Sequence, residues 1–315
     1  MKIVVSGSSG FIGFHLVREL LNAGHEVVGL DNHNDYYNPD LKLNRLALLG
    51  SKNFTFYELD INNILINDQD FDLAINLAAQ AGVRVQKEKE HLYNYSNIEG
   101  FKSFCNFCIN KNINKIIYAS SSSVYSDICE GKFSEEDCIL EPKSKYGKSK
   151  LFNEKYASEL IKSNDLSMIG LRFFSVYGPF GRPDMAYYAF TDAIKQKRSI
   201  SLNNGGNMFR DMTYIDDIIK GIFGAINFIF EPRNKNKNEI FNLGNDKPIK
   251  TSDLLNRIEN MIGAKALVKH CKTKNEIFKT HADISKAKNL LRYDPKVTLD
   301  EGIVKFLDWH KQYEN

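Results

Sequence analysis

The sequence predicts an α/β protein, a doubly wound parallel sheet with a smaller C-terminal lobe. Three observations carry that expectation. Short β-branched runs alternate with longer amphipathic stretches over the first 177 residues, as in strands covered by helices on both faces. A glycine-rich turn joins the first strand to the first helix. Six strand-like runs are separated by segments long enough for crossover connections.

Ile3-Val4-Val5 reads as a buried strand, Gly7 to Gly13 as the turn, and Ile12, Leu16, Val17, Leu20 and Leu21 as the apolar face of a helix ended by Gly24. Val27-Val28-Gly29-Leu30 is a second strand, followed by an acid, Asp31. Further strands are expected at 54–59, 73–77, 116–119 and 168–173. Beyond residue 178 the pattern loosens into helices at 187–197, 215–230 and 252–262, short strands, and a polar surface loop at 232–238. The division expected is 1–177 and 178–315, with some strands and helices exchanged between the two.

Composition excludes several classes. The 315 residues are 43% hydrophobic and 26% charged, an ordinary globular balance that needs no disulfide or metal staple. Lys and Arg number 42 against 39 Asp and Glu, a formal charge of +3, so nucleic acid is not the expected partner. No stretch of about 18 apolar residues exists to span a membrane. Five cysteines without a repeating spacing, and no signal-peptide core after Met1-Lys2, lead us to expect the reducing cytoplasm.

Gly7-Ser8-Ser9-Gly10-Phe11-Ile12-Gly13 has the residues of a phosphate-binding turn. Glycines allow close backbone approach to a pyrophosphate, and the helix N-terminus faces it. Asp31 follows Gly13 by 18 residues, close to the spacing of about 20 for an acid that holds the adenosine ribose hydroxyls. A carboxylate there repels a 2′-phosphate, so NAD is expected over NADP.

Tyr146 and Lys150 stand at i and i+4 at the start of a helical stretch and therefore share a face. An ammonium near a phenol favours the phenolate, which is a competent base for a sugar hydroxyl. Cys105 and Cys108, three apart beside Phe101 and Phe104, read as core or subunit-contact residues. His270 beside Cys271 lacks further ligands, so no metal is expected.

With these residues in place, the sequence resembles the extended short-chain dehydrogenases/reductases with a Rossmann domain, and within them the NAD-dependent nucleotide-sugar epimerases that act on UDP-glucuronate. The resemblance covers nearly the whole chain. Besides the turn and Tyr146-x-x-x-Lys150 it rests on Asp31-Asn32-His33-Asn34-Asp35-Tyr36-Tyr37, on Gln80-Ala81-Gly82-Val83-Arg84, and on Ser120-Ser121-Ser122-Ser123-Val124-Tyr125. It also rests on Gly181-Arg182-Pro183-Asp184-Met185 and Arg210-Asp211-Met212-Thr213-Tyr214. The Asn-Asp-Tyr-Tyr, Ala-Gln-Ala-Gly-Val-Arg and Gly-Arg-Pro-Asp-Met segments are the narrowest of these marks.

The resemblance implies that Ser121 relays a proton between sugar and Tyr146, with Lys150 also holding the nicotinamide ribose. Gly7, Gly10, Phe11, Ile12, Gly13, Asp31 and Asn32 would bind the cofactor, Asp60 and Ile61 border its adenine, and Leu77, Ala78 and Ala79 line it. Ser122, Ser123, Ser175 and Arg182 would surround the sugar and its carboxylate, Arg84 would assist, and Arg210 would pair with the diphosphate. It further implies a role in polysaccharide biosynthesis and a homodimer packed through 98–109 (Phe101, Phe104, Cys105, Cys108) and the helix after Tyr146. Two alternatives stay open: decarboxylation or dehydration of a nucleotide sugar, and a non-catalytic NAD-binding sensor. Departures from the family pattern are Ser175 for Thr, Lys145 and Gly147 around Tyr146, and residues 273–276 in place of Gln-Pro-Gly-Asp near the nucleotide.

Overall fold

Ile3, Val4 and Val5 are all fully buried, as a strand covered on both faces requires. In a computed structural model that describes residues 1–67, 70–83, 85–126, 131–136, 139–235, 237–272 and 277–313, they belong to β1 (Lys2–Ser6). There follow α1 (Phe11–Asn22), β2 (Glu26–Asp31), α2 (Asp40–Ala47), β3 (Phe54–Glu58) and β4 (Leu73–Asn76). A π-helical stretch, Tyr93–Glu99, runs into α3 (Gly100–Asn110), then β5 (Lys115–Ser121), α4 (Lys145–Ser163) and β6 (Ser167–Phe173). The remainder is β7 (Ser175–Tyr177), α5 (Ala186–Lys195), β8 (Ser199–Asn203), β9 (Phe209–Tyr214), α6 (Ile215–Ile229), β10 (Asn238–Leu243), β11 (Pro248–Lys250), α7 (Thr251–Ile262), β12 (Leu267–Cys271), α8 (Ser285–Leu291) and α9 (Leu299–Tyr313).

Seven parallel strands form the main sheet in the order β3-β2-β1-β4-β5-β6-β10. The chain winds outward in both directions from β1 and β4, so a crevice opens at their carboxyl ends. Alternate residues feed the two sides. Ile3, Val5, Ile75 and Ile117 enter one apolar cluster, while Val4, Ala74, Ile116 and Met168 enter the other. Smaller sheets, β11-β9-β7 and β12-β8, lie in the later part of the chain.

Six strands were expected in the main sheet, and the seventh, β10, comes from the loosely patterned region. Its residues Asn238 to Leu243 pair in register with Met168 to Phe173. The polar loop expected at 232–238 ends one residue early, because Asn238 already opens β10. The expected subunit face also needs correction. Phe101, Phe104, Cys105 and Cys108 are all 0% exposed, packed in the cluster with Ile116, Tyr118 and Met168, so they belong to the interior of one chain.

Candidate active site

The glycine turn is shaped by contacts that no side chain could survive. Gly7 has φ +74, and a Cβ on it would stand 2.6 Å from the Ala78 nitrogen; one on Gly13 would stand 2.0 Å from the Gly7 carbonyl oxygen. The turn is tied to the sheet by Gly7 N donating to Leu30 O at 2.7 Å and Ser8 N to the same oxygen at 3.1 Å. No side chain caps the N-terminus of α1, which leaves its first amides facing the crevice as donors for an anion.

Asp31 at the end of β2 accepts from Ser9 N at 3.2 Å and His33 N at 3.0 Å. Lys42, from α2, lies 3.8 Å from it and donates to the Asn34 carbonyl and side-chain oxygens. Burial lowers the Lys42 ammonium from its usual range, with Asp31 opposing that shift. Asn32 Nδ2 donates to Asp60 at 2.9 Å.

β5 delivers Ser121 to the crevice, and α4 delivers Tyr146 and Lys150. Ser144 caps α4 by accepting from Gly147 N at 2.9 Å. Gly147 lets the helix close on the strand end: a Cβ there would lie 2.2 Å from the Ser123 carbonyl oxygen. Lys150 is buried and donates to the Ala119 carbonyl at 3.0 Å, with its Nζ 5.9 Å from the Tyr146 ring centre. The Asn97 side chain, in the π-helical stretch, accepts from Gln80 N at 2.7 Å and donates to Gln80 O at 3.1 Å and to Ser149 Oγ at 2.9 Å. It thereby joins the β4 exit to α4.

Desolvation raises the Tyr146 phenol; the Arg182 charge and the Ser121 hydrogen bond pull it back. Lys150, expected to supply such a pull, is buried, which brings its own ammonium down to about 8. Arg182 is a further cation that favours the phenolate. Its guanidinium forms a two-point pair with Asp184, Nε to Oδ1 at 3.0 Å and Nη2 to Oδ2 at 2.6 Å.

One cleft of about 770 Å³ gathers these groups, a volume suited to an extended ligand. Of the residues expected from sequence, Gly7, Gly10, Phe11, Ile12, Gly13, Asp31, Asn32, Ile61, Leu77, Ala78 and Ala79 line it, together with Ser121, Ser122, Ser123, Tyr146, Lys150, Ser175, Arg182 and Arg210. Arg210 also donates to the Phe209 and Ile277 carbonyls, at 2.8 and 3.0 Å. Asp60 is not among the lining residues; its carboxylate holds Asn32 and Asn62 instead. Arg84, Cys129, Cys138 and residues 273–276 lie outside the described residues. Among those described, no group of three or more His, Cys, Asp or Glu is placed to hold a metal ion, and no helix is long and apolar enough to cross a membrane. Sequence reasoning passed over Tyr36, Lys42 and Asp184, which line the cleft, and Asn97 behind it. Tyr36 and Asp184 sat within segments already singled out, so position in a narrow motif was the available signal.

The profile of the NAD dependent epimerase/dehydratase family matches residues 3–244. The chain belongs to that family. It is 40% identical over 334 residues to UDP-glucuronate 4-epimerase 4 of Arabidopsis thaliana, covering 99% of this chain and 76% of the plant protein. Protein CapI of Staphylococcus aureus is 37% identical over 335 residues, covering 99% of each. Among solved structures of this family, the UDP-glucuronic acid 4-epimerase of Bacillus cereus in complex with UDP-glucuronic acid and NAD superposes with a TM-score of 0.91 at 34% identity, over 99% of this chain and 100% of that one.

Proposed function

We propose that the chain is an NAD-dependent UDP-glucuronate 4-epimerase that interconverts UDP-glucuronate and UDP-galacturonate through a transient 4-keto sugar. The observation that carries this reading is the convergence of Ser121, Tyr146 and Lys150 in the cleft that also holds the glycine turn and Asp31. The relatives named for this reaction support it.

The residues fit the cofactor: uncapped α1 amides for the pyrophosphate, Asp31 and Asn32 for the ribose, Ile61, Leu77, Ala78 and Ala79 as apolar wall, and Asp60 bracing Asn32 from behind. NAD, when bound, supplies a reversible hydride acceptor. Tyr146 takes the proton of the sugar's C4 hydroxyl through Ser121 and later returns it to that oxygen, the C4 hydrogen itself leaving and returning as hydride, while Lys150 would hold the nicotinamide ribose. The part of the chain beyond 178 would hold the nucleotide sugar, Arg210 facing the diphosphate.

A 4-ketone is β to the C6 carboxylate, and such acids lose CO₂ when the breaking bond lies parallel to the carbonyl π system. Ser122, Ser123, Ser175 and Arg182 would hold the carboxylate out of that alignment, control by positioning. The family resemblance implies an Asp or Glu within the two positions after the active hydroxyl where a member decarboxylates or dehydrates its sugar, and this chain has Ser122 and Ser123 there. We further infer a cytoplasmic homodimer that supplies polysaccharide precursors. Its contact would use the outward residues of α4, where Phe152 stacks on Tyr156 at 5.8 Å, and sedimentation velocity tests it, since a monomer mass would refute it.

The purified protein incubated with UDP-glucuronate and no added cofactor is expected to yield UDP-galacturonate by proton NMR. A UDP-pentose would instead make it a decarboxylase. No product at all would reject the proposal.

A further inference from the structure

Two of the narrow motifs, far apart in sequence, meet at the cleft rim around Arg182. On one side, Tyr36 donates its hydroxyl to Asp184 Oδ2 at 3.1 Å, and the Arg182 guanidinium lies 5.7 Å from the Tyr36 ring centre. Tyr36 is itself confined, because a Cβ on Gly82 would stand 2.1 Å from its hydroxyl. Gly82 in turn accepts from Tyr93 at 2.6 Å. On the other side, Arg45 of α2 is 0% exposed. Its Nη2 donates to the carbonyls of Phe180 at 2.6 Å and Gly181 at 3.0 Å, the two residues just before Arg182. Its Nη1 donates to Ser9 O in the glycine turn at 3.0 Å and to Tyr37 at 2.7 Å. Phe180 holds φ +57, a strained conformation for a side chain of this size that the two Arg45 bonds secure.

Arg182 is therefore fixed from both flanks by one segment of the cofactor half. A long guanidinium free to rotate would lose conformational entropy on meeting a substrate carboxylate; one already oriented loses little. The Asp184 carboxyl, which burial alone would push up, is brought below its usual range by Arg182, with Tyr36 adding to the effect. The pair is thus charged on both sides.

We propose that Tyr36 and Arg45 are positioning residues for Arg182, which make the site discriminate a sugar bearing a carboxylate from a neutral one. This rests on the reading of the site as one for a UDP-hexuronate. Neither residue needs to touch the sugar; each acts through the segment that carries Arg182.

Tyr36→Phe keeps the ring and removes only the hydroxyl. In the full-length protein, the KM for UDP-glucuronate is expected to rise about five- to twenty-fold, as for loss of a hydrogen bond to a charged group. The inhibition constants of UDP and UDP-glucose, which have no carboxylate to read, should stay near those of the wild type. Arg45→Lys keeps the charge but not the four-point fork, and is expected to show the same selective loss. The inference is overturned if UDP, UDP-glucose and UDP-glucuronate weaken together, or if none weakens. A wild type that does not act on UDP-glucuronate removes the functional reading and this inference with it; a wild type that does, with no selective loss in either variant, removes this inference alone.

Discussion

Glu154 and Arg172 meet as a buried two-point ion pair, Nε to Oε1 at 2.8 Å and Nη2 to Oε2 at 2.7 Å. The pair joins α4 to β6 one turn beyond Lys150. Ser120, next to Ser121 on β5, donates to the same carboxylate at 2.5 Å, and Arg172 Nη1 reaches Tyr125 at 2.8 Å. The pair therefore fixes the distance between the strand that carries Ser121 and the helix that carries Tyr146.

Removing one partner leaves the other charge buried. Glu154→Gln is expected to cost about 3–5 kcal/mol of unfolding free energy, measured by urea denaturation. Replacing both partners together with apolar residues should cost less than the sum of the single changes. Additive losses would show that the two side chains do not act as a pair.

Turnover under the proposed function requires Tyr146 to give up its proton. The groups that face it are Ser121 from β5, Lys150 on its own helix, Arg182, and Tyr93, whose ring centre is 6.1 Å away. Arg182 favours the phenolate, so Arg182→Gln raises the pH at which the base forms. The acid limb of the kcat profile is expected to move up by about 0.5–1 pH unit. A limb that stays in place, or moves down, would assign the tuning elsewhere.

His15 on α1 is buried and contacts the Pro179 carbonyl at 3.0 Å. Burial lowers it to about 3 from 6.5. A base depressed in the folded state contributes stability that is complete above about pH 6.5 and is lost as pH falls towards 3. Between pH 7.5 and pH 4.5 the wild type should lose about 2–3 kcal/mol from this group. His15→Gln should flatten that part of the urea-midpoint curve, and an unchanged slope would contradict the assignment.

Gly13→Ala places a methyl against the Gly7 carbonyl, so α1 must shift away from the turn. NAD that co-purifies with the wild type, read by ultraviolet absorbance after acid release, should fall at least about tenfold in the variant, as expected when backbone donors leave a phosphate site. Full retention would show that the turn does not hold the pyrophosphate.

Periodicity made the first six strands legible, since Ile3 to Val5 and Ile116 to Ala119 are short apolar runs between turns. β10 was not legible, because Asn238-Glu239-Ile240-Phe241-Asn242-Leu243 offers neither a continuous apolar run nor a strict alternation and follows a lysine-rich loop. Its Asn242 is polar yet 0% exposed; it accepts from Tyr125 at 2.7 Å and donates to the Phe133 carbonyl at 2.8 Å, partners that no local pattern announces. Helical spacing likewise marked the apolar side of α3 but not whether it faced its own sheet or another subunit. In the cleft, i and i+4 spacing was enough to bring Tyr146 and Lys150 onto one face. The approach of Arg182 to Tyr146 depends on a fold that closes residues 36, 45 and 180–184 together, a relation of distant segments.

The pairing of β10 with β6 has a consequence for how the chain is made. While the ribosome has released only the residues up to 177, β6 has a bare hydrogen-bonding edge, open to pairing with neighbouring nascent chains. Some 60 further residues, including all of α6, must emerge before that edge is sealed. Synthesis speed through this interval, and any holdase that covers the edge, should govern yield in a heterologous host more strongly than the stability of the finished molecule.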